Sequence, residues 1–141
     1  MIYFDDIQLG EKYVSRGRTI TEADIVGFAG LTGDWYELHV NKEVAKNSPF
    51  GERIAHGMLV LSIATGLITP YDKALIAFYG MDKVRFVGAT KIGDTIHVET
   101  EVTEIRDKGT HGVVSNIVHV KNQRGEDVAV MTTKVAMMKK P

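Results

Sequence analysis

The chain has 141 residues, of which 44% are hydrophobic and 25% are charged, and this composition predicts a single soluble domain, residues 1–141, that buries its own core. Its formal net charge is −1, so the composition gives no support for a nucleic-acid-binding role. It contains no cysteine, which excludes disulfides, thiolate catalysis and cysteine-based metal sites.

No targeting or membrane-spanning segment is predicted. The first thirty residues include Asp5, Asp6 and Glu11 and have no apolar run of the kind found in secretory signals. The longest apolar stretch, Met58–Ile68, is shorter than the roughly 20 residues that a helix needs to span a bilayer. We therefore expect a cytoplasmic protein with neither membrane nor nucleic acid as a partner.

The first part of the chain is predicted to combine one strand with short helices and loops. Residues 11–18 alternate well enough for a first strand. Thr21-Glu22-Ala23-Asp24 has the pattern of a capping box, and Gly33 is a good C-cap residue, so a helix is predicted between them. Residues 34–38 are then expected to form a loop, and Asn41 to cap a short helix that extends to Lys46.

Residues 57–69 are predicted to form the central helix. Its side chains leave almost no polar face, so we expect it to be buried on all sides. Pro70 cannot continue a helix and ends it. The apolar positions are Met58, Leu59, Val60, Leu61, Ile63, Ala64, Leu67 and Ile68.

From residue 74 the hydrophobic pattern changes to a period of two, which is typical of strands. The predicted strands are 74–79, 83–87, 95–105, 113–120 and 128–138, with turns at 92–94, 107–109 and 122–125. An antiparallel meander needs an apolar element against one face, and the central helix can supply it. The predicted class is therefore α+β, with one curved antiparallel sheet wrapped around a long buried helix. The exposed edge of such a sheet predicts a two-fold homodimer, which could assemble further.

Two short stretches contain the candidate chemical groups. Asp34 and His39 lie five residues apart, and His56-Gly57 stands at the start of the central helix. A carboxylate and an imidazole that hold the same water can add or remove it across a double bond. The N–H groups at a helix start can stabilise negative charge that develops on a carbonyl oxygen.

These stretches resemble the MaoC-like dehydratase, or (R)-specific enoyl-CoA hydratase, family, whose members have the hot-dog fold. The resemblance extends over essentially the whole chain and includes the strand-turn-strand pattern of 84–86 followed by 91–96. The residues that carry it are 28–39, Ala45, 54–58 and Ser62.

The resemblance implies a lyase that reversibly hydrates a trans-2-enoyl-CoA to an (R)-3-hydroxyacyl-CoA. Asp34 and His39 would then be catalytic, the Gly57 N–H would bind the thioester oxygen, and the Ser62 hydroxyl would contact Asp34. Tyr36 stands where the family usually has Asn, and Glu37 stands where it usually has Pro. Tyr36 is therefore expected to affect substrate preference. The implied partner is an acyl-CoA or acyl carrier protein thioester, and no cofactor or metal is expected.

Other interpretations of the same residues remain open. A hydrolase triad would use Ser62 as the nucleophile, but Ser62 lacks the flanking glycines of a nucleophile elbow. Asp34, His39 and His56 could bind zinc, although their spacing matches no familiar ligand pattern. His56 is a further candidate for substrate binding, but packing of the loop is the simpler role for it.

Two alternative functions follow from the same fold: a hot-dog thioesterase and a non-catalytic acyl-CoA-binding subunit. Thioesterases of this fold more often carry a carboxylate on or next to the central helix, and residues 58–68 contain none. The presence of both members of the dyad argues against the non-catalytic subunit. Lys83, Arg85 and Lys91 are candidate phosphate contacts, although such charges are usually solvated.

Overall fold

The computed structural model describes residues 1–141 and contains six strands, four α-helices and a 3₁₀ turn at Phe4–Asp6. The strands are β1 Lys12–Val14, β2 Arg18–Thr19, β3 Leu75–Phe86, β4 Thr95–Asp107, β5 His111–Lys121 and β6 Asp127–Met138. The helices are α1 Glu22–Thr32, α2 Glu37–Val40, α3 Lys42–Ala45 and α4 Gly57–Ile68.

The strands form one antiparallel sheet in the order β1-β4-β5-β6-β3, with β2 also paired to β4. The hairpins β4–β5 and β5–β6 turn at Gly109 and Gly125, whose φ angles are 85° and 76°, as predicted. Glycine adopts this left-handed conformation without the steric penalty that a Cβ imposes. The strand order leaves β3 at one edge of the sheet.

Helix α4 packs against the sheet and forms the main core with it. Alternate positions of β4 and of β5 contribute valine and isoleucine side chains to this core, as the period-two pattern predicts, and β6 contributes Val128, Ala129 and Met131. The prediction of an α+β fold with a central helix is therefore confirmed. The cluster of buried residues comprises Ile20, Ile25, Ala55, Leu59, Val60, Leu61, Ala64, Leu67, Ile96, Val98, Val118, Val120, Val128, Ala129 and Met131.

The prediction that α4 is buried on all sides is wrong for the single chain. Met58, Ser62, Thr65 and Gly66 are exposed. These positions share one stripe of the helix, because residues spaced by three, four and seven lie on the same face. The sheet and its connections cover the opposite side of α4, and among the apolar positions of the helix only Met58 is exposed.

Two strand predictions are corrected. The predicted first strand is divided into β1 and β2. Between them, the Ser15 Oγ accepts a hydrogen bond of 2.8 Å from the Val98 N–H of β4. The predicted strands 74–79 and 83–87 are instead the single strand β3. The pairing of β3 with β6 shifts register at three places, and Lys83 has a φ of 53°, so the period-two pattern is interrupted although the strand continues.

The short helices follow the predicted capping signals. Thr21 and Asp24 form the reciprocal capping box of α1, and Gly33 ends this helix in the left-handed conformation. The Asn41 side chain accepts hydrogen bonds from the first turn of α3. The predicted loop 34–38 is shorter than expected, because α2 begins at Glu37. Each helix of the structure is too short or too polar to cross a membrane.

Candidate active site

Asp34 lies in the short connection between α1 and α2. Its N–H donates to the Thr32 hydroxyl at 3.2 Å, and its Oδ1 accepts from the Tyr36 N–H at 3.2 Å. The second contact is the Asx-turn geometry that Asp favours after a helix end. The carboxylate is exposed, and these contacts leave Oδ2 free to bind a water or a ligand.

His39 lies on α2, where its ring is held by a backbone carbonyl. Its Nδ1 is 2.7 Å from the carbonyl oxygen of Ile54. A carbonyl oxygen can only accept, so Nδ1 carries the hydrogen and Nε2 of the neutral ring carries a lone pair. Tyr36 contacts the same ring edge-on, with centroids 5.9 Å apart. In its neutral form, His39 therefore offers Nε2 as a hydrogen-bond acceptor near Asp34.

His56 is the N-cap residue of α4 and is 3% exposed. Its Nε2 donates to the backbone carbonyl of Asp34 at 3.0 Å. Its ring stacks on that of His39, with centroids 4.0 Å apart and planes inclined by 28°. Its Nδ1 is buried and has no hydrogen-bond partner. His56 thus joins both members of the predicted dyad.

The structure brings Asp34, His39 and His56 together, with one potential ligand atom from each within 4.8 Å of the others. Such a cluster could in principle hold a metal ion. However, the lone pair of an imidazole lies in the plane of its ring, and the two rings are stacked. This stacking directs their lone pairs side by side rather than at one point, which disfavours zinc coordination. The absence of a metal stays a prediction.

Gly57 begins α4 beside this cluster and borders a cavity of about 420 Å³. His56 offers no side-chain cap, so the N–H groups of the first helical turn remain available to a ligand. The Phe86 ring packs on Gly57 so closely that a Cβ there would lie 2.8 Å from it. The cavity is lined mainly by apolar residues: His39, Phe50, Ile54, Ala55, Gly57, Met58, Val60, Phe86, Val87, Gly88, Ala89, Thr90 and Val128.

Other candidate residues lie apart from this cluster. The Ser62 hydroxyl donates to the Met58 carbonyl at 2.7 Å, so the expected contact with Asp34 is not formed, and substrate binding by Ser62 stays a prediction. Lys91 pairs with Glu52 at 3.6 Å. Sequence reasoning missed Phe86 as a wall of the cavity, although the stretch that contains it was one of those that resemble the family.

Comparison with known proteins shows what this chain is similar to. The family model described as the MaoC like domain matches residues 6–135. Protein MaoC of Klebsiella aerogenes is 46% identical over 68% of this chain, and the match spans only 29% of that protein's length. The (R)-specific enoyl-CoA hydratase of Rhodospirillum rubrum is 37% identical over 72% of this chain and 69% of its own length.

Comparison with solved structures identifies the fold of the chain. A structure described as a monoamine oxidase regulatory protein of Archaeoglobus fulgidus superposes with a TM-score of 0.93 and 46% identity, covering 99% of this chain and 96% of that one. A double hot-dog protein of Mycobacterium tuberculosis, 20% identical, superposes with a TM-score of 0.85 over 99% of this chain and 44% of its own. The predicted hot-dog fold is confirmed.

Proposed function

The chain belongs to the MaoC-like dehydratase family, and from this membership we propose that it catalyses the reversible hydration of a trans-2-enoyl-CoA to an (R)-3-hydroxyacyl-CoA. The observation that carries the proposal is the convergence of the Asp34 carboxylate and the His39 ring beside the start of α4. The activity of the Rhodospirillum rubrum relative, as its name states it, points in the same direction.

The proposed reaction begins with a water held between Asp34 and His39. Both groups accept hydrogen bonds, because the hydrogen of neutral His39 is on Nδ1 and is donated to Ile54. The water can therefore donate one hydrogen to Oδ2 of Asp34 and the other to Nε2 of His39. As its oxygen bonds to C3 of the enoyl group, one of these acceptors takes a proton from the water and passes it to C2, while the other hydrogen of the water stays on the new C3 hydroxyl. Dehydration is the reverse.

The start of α4 supports this chemistry electrostatically. Addition at C3 moves negative charge onto the thioester oxygen, and we assign the Gly57 N–H, at the positive end of the helix dipole, to stabilise that charge. Removal of one such donor typically costs about 2.7–4 kcal/mol in transition-state stabilisation. The apolar cavity next to His39 and Gly57 offers room for the acyl chain.

We also propose a homodimer. Strand β3 is at the edge of the sheet, and it exposes Ile76, Phe78 and Tyr79. An unpaired edge with apolar side chains is a surface that a second copy can cover by continuing the sheet. Met58 on the exposed stripe of α4 adds a further apolar side chain available to a partner.

The test combines two signals from one sample. Purified protein is mixed with crotonyl-CoA, and the absorbance of the conjugated enoyl thioester is followed together with the release of free thiol. The proposal predicts absorbance loss without thiol release, and loss of this activity in Asp34→Asn. Thiol release would instead identify a thioesterase. Absence of both signals with crotonyl-CoA, longer enoyl-CoA esters and an enoyl-acyl carrier protein would refute the proposed activity.

A further inference from the structure

We propose that His56 is a positioning residue, which fixes Asp34, His39 and the start of α4 in one arrangement without itself exchanging a proton with the substrate. The inference rests on the proposed function, since the arrangement matters only if Asp34 and His39 act on the same water. Three sets of contacts carry it.

The first contact holds the Asp34 backbone. The other hydrogen bonds of Asp34 are to Thr32 and Tyr36, each only two residues away in the chain. The bond from Nε2 of His56 to the Asp34 carbonyl is the one that joins this residue to a distant part of the chain. The Tyr36 N–H orients the carboxylate locally, and the bond from His56 fixes the backbone of this connection relative to α4.

The second contact restricts the His39 ring. The bond to Ile54 fixes the position of Nδ1, but one hydrogen bond still allows the ring to tilt about it. The His56 ring covers one face of His39 at a centroid distance of 4.0 Å and so limits this tilt. Together the two contacts fix the direction in which Nε2 of His39 points toward the proposed water.

The third set of contacts anchors His56 itself. Its carbonyl accepts from the Val60 N–H at 3.1 Å, a hydrogen bond of the first turn of α4, and the Ala55 N–H before it donates to Thr90 at 2.7 Å. The Phe28 ring lies 4.9 Å from the His56 ring. His56 is therefore fixed relative to Gly57, and the dyad is fixed relative to the N–H groups that would stabilise the thioester oxygen.

Packing alone does not account for a histidine at this position. The buried Nδ1 has no partner, and an unpaired buried acceptor is unfavourable. An apolar ring of similar size would fill the space without it. The two properties that the site uses are the flat face against His39 and the Nε2 donor to Asp34, and among ordinary side chains of this size histidine combines them.

Two variants separate these properties from a general structural role. His56→Phe keeps a ring but removes the donor, and His56→Gln keeps a donor but removes the ring. We expect His56→Phe to lower kcat for enoyl-CoA hydration about 10- to 100-fold with little change in KM, because small displacements of catalytic groups have effects of this size. His56→Gln should recover part of the loss. His111→Phe makes the same substitution on strand β5, outside the site, and should match the wild type.

The thermal midpoint of each variant is measured alongside the kinetics. An activity of His56→Phe within about threefold of wild type would overturn the proposal. Equal losses in both His56 variants, in proportion to the fraction of unfolded protein, would also overturn it and leave only a structural role.

A second measurement does not depend on activity or on variants. Nitrogen-15 NMR of the wild-type histidine rings reports which nitrogen carries the hydrogen. The proposal requires hydrogen on Nε2 of His56 and on Nδ1 of His39, and hydrogen on Nδ1 alone of His56 would overturn it. If the wild type shows these tautomers but hydrates no enoyl thioester, the proposed function has failed while the positioning of Asp34 and His39 by His56 stands.

Discussion

Replacing His39 with asparagine separates the structural nitrogen of the ring from the reactive one. The Asn side-chain amide reaches about as far as Nδ1 does, so it can still donate to the Ile54 carbonyl, which is 2.7 Å from Nδ1 in the native protein. Asparagine has no atom at the position of Nε2. The substitution therefore keeps the contact that orients the residue and removes the acceptor that we assign to the water.

The magnitude follows from the role of the lost atom. A positioned acid or base typically contributes about 10²–10⁴-fold to the rate, so kcat should fall by this factor, equivalent to about 2.7–5.5 kcal/mol. The free energy of unfolding should change by less than about 1 kcal/mol, because the hydrogen bond to Ile54 is retained. His39→Leu is the matched comparison, since it leaves that carbonyl unpaired at a cost of about 1–3 kcal/mol.

The assay is the steady-state loss of enoyl-thioester absorbance, with urea unfolding of the same preparations. We expect His39→Asn to be nearly as stable as the wild type and nearly inactive, and His39→Leu to be both inactive and less stable. An Asn variant that kept more than a tenth of the wild-type kcat would refute the assignment of Nε2 as a catalytic hydrogen-bond acceptor for the water.

Three further outcomes are expected. The Arg18 guanidinium, which hydrogen-bonds Asp24, holds the pKa of that carboxyl well below its usual range. Asp24→Asn should therefore lower the free energy of unfolding at neutral pH by about 1–2 kcal/mol. Because the pKa of Asp24 is lower in the folded than in the unfolded protein, the difference in stability between wild type and variant should narrow as the pH falls below about 4. A difference in stability that does not change with pH would contradict this reasoning. Phe86→Ala should enlarge the cavity beside Gly57 and raise kcat/KM for longer enoyl chains relative to crotonyl-CoA, and an unchanged ratio would show that Phe86 does not border the acyl chain. Tyr79→Lys, an exposed change on β3, should convert the proposed dimer to a monomer in light scattering without loss of folding; a wild-type monomer would contradict the proposed assembly.

Local signals in the sequence predicted much of the fold correctly. The capping box of Thr21 and Asp24 and the left-handed Gly33 were predictable because each depends on residues within a few positions of one another. The same holds for the hairpin glycines, Gly109 and Gly125. The division of the first strand was not predictable, since it depends on how Ser15 meets the distant strand β4: its N–H donates to the Val98 carbonyl and its Oγ accepts from the Val98 N–H.

For the candidate site, the sequence identified which residues meet but not how they are held. The spacing of Asp34 and His39 and their resemblance to a family pattern indicated a dyad. The hydrogen position on His39 depends on the Ile54 carbonyl, and the role of His56 depends on a stack between two rings. Both are contacts across 15 or more positions of the chain, and neither leaves a periodic or local signal in the sequence.

The most direct test of the central claim is the fate of the water oxygen. The protein is incubated with crotonyl-CoA in oxygen-18-labelled water, and the products are analysed by mass spectrometry. Hydration by the Asp34–His39 water predicts one labelled oxygen on C3 of an intact 3-hydroxybutyryl thioester of (R) configuration, and none in the acyl carbonyl. Label found in a free carboxylate, or an unlabelled and unchanged thioester, would contradict the account.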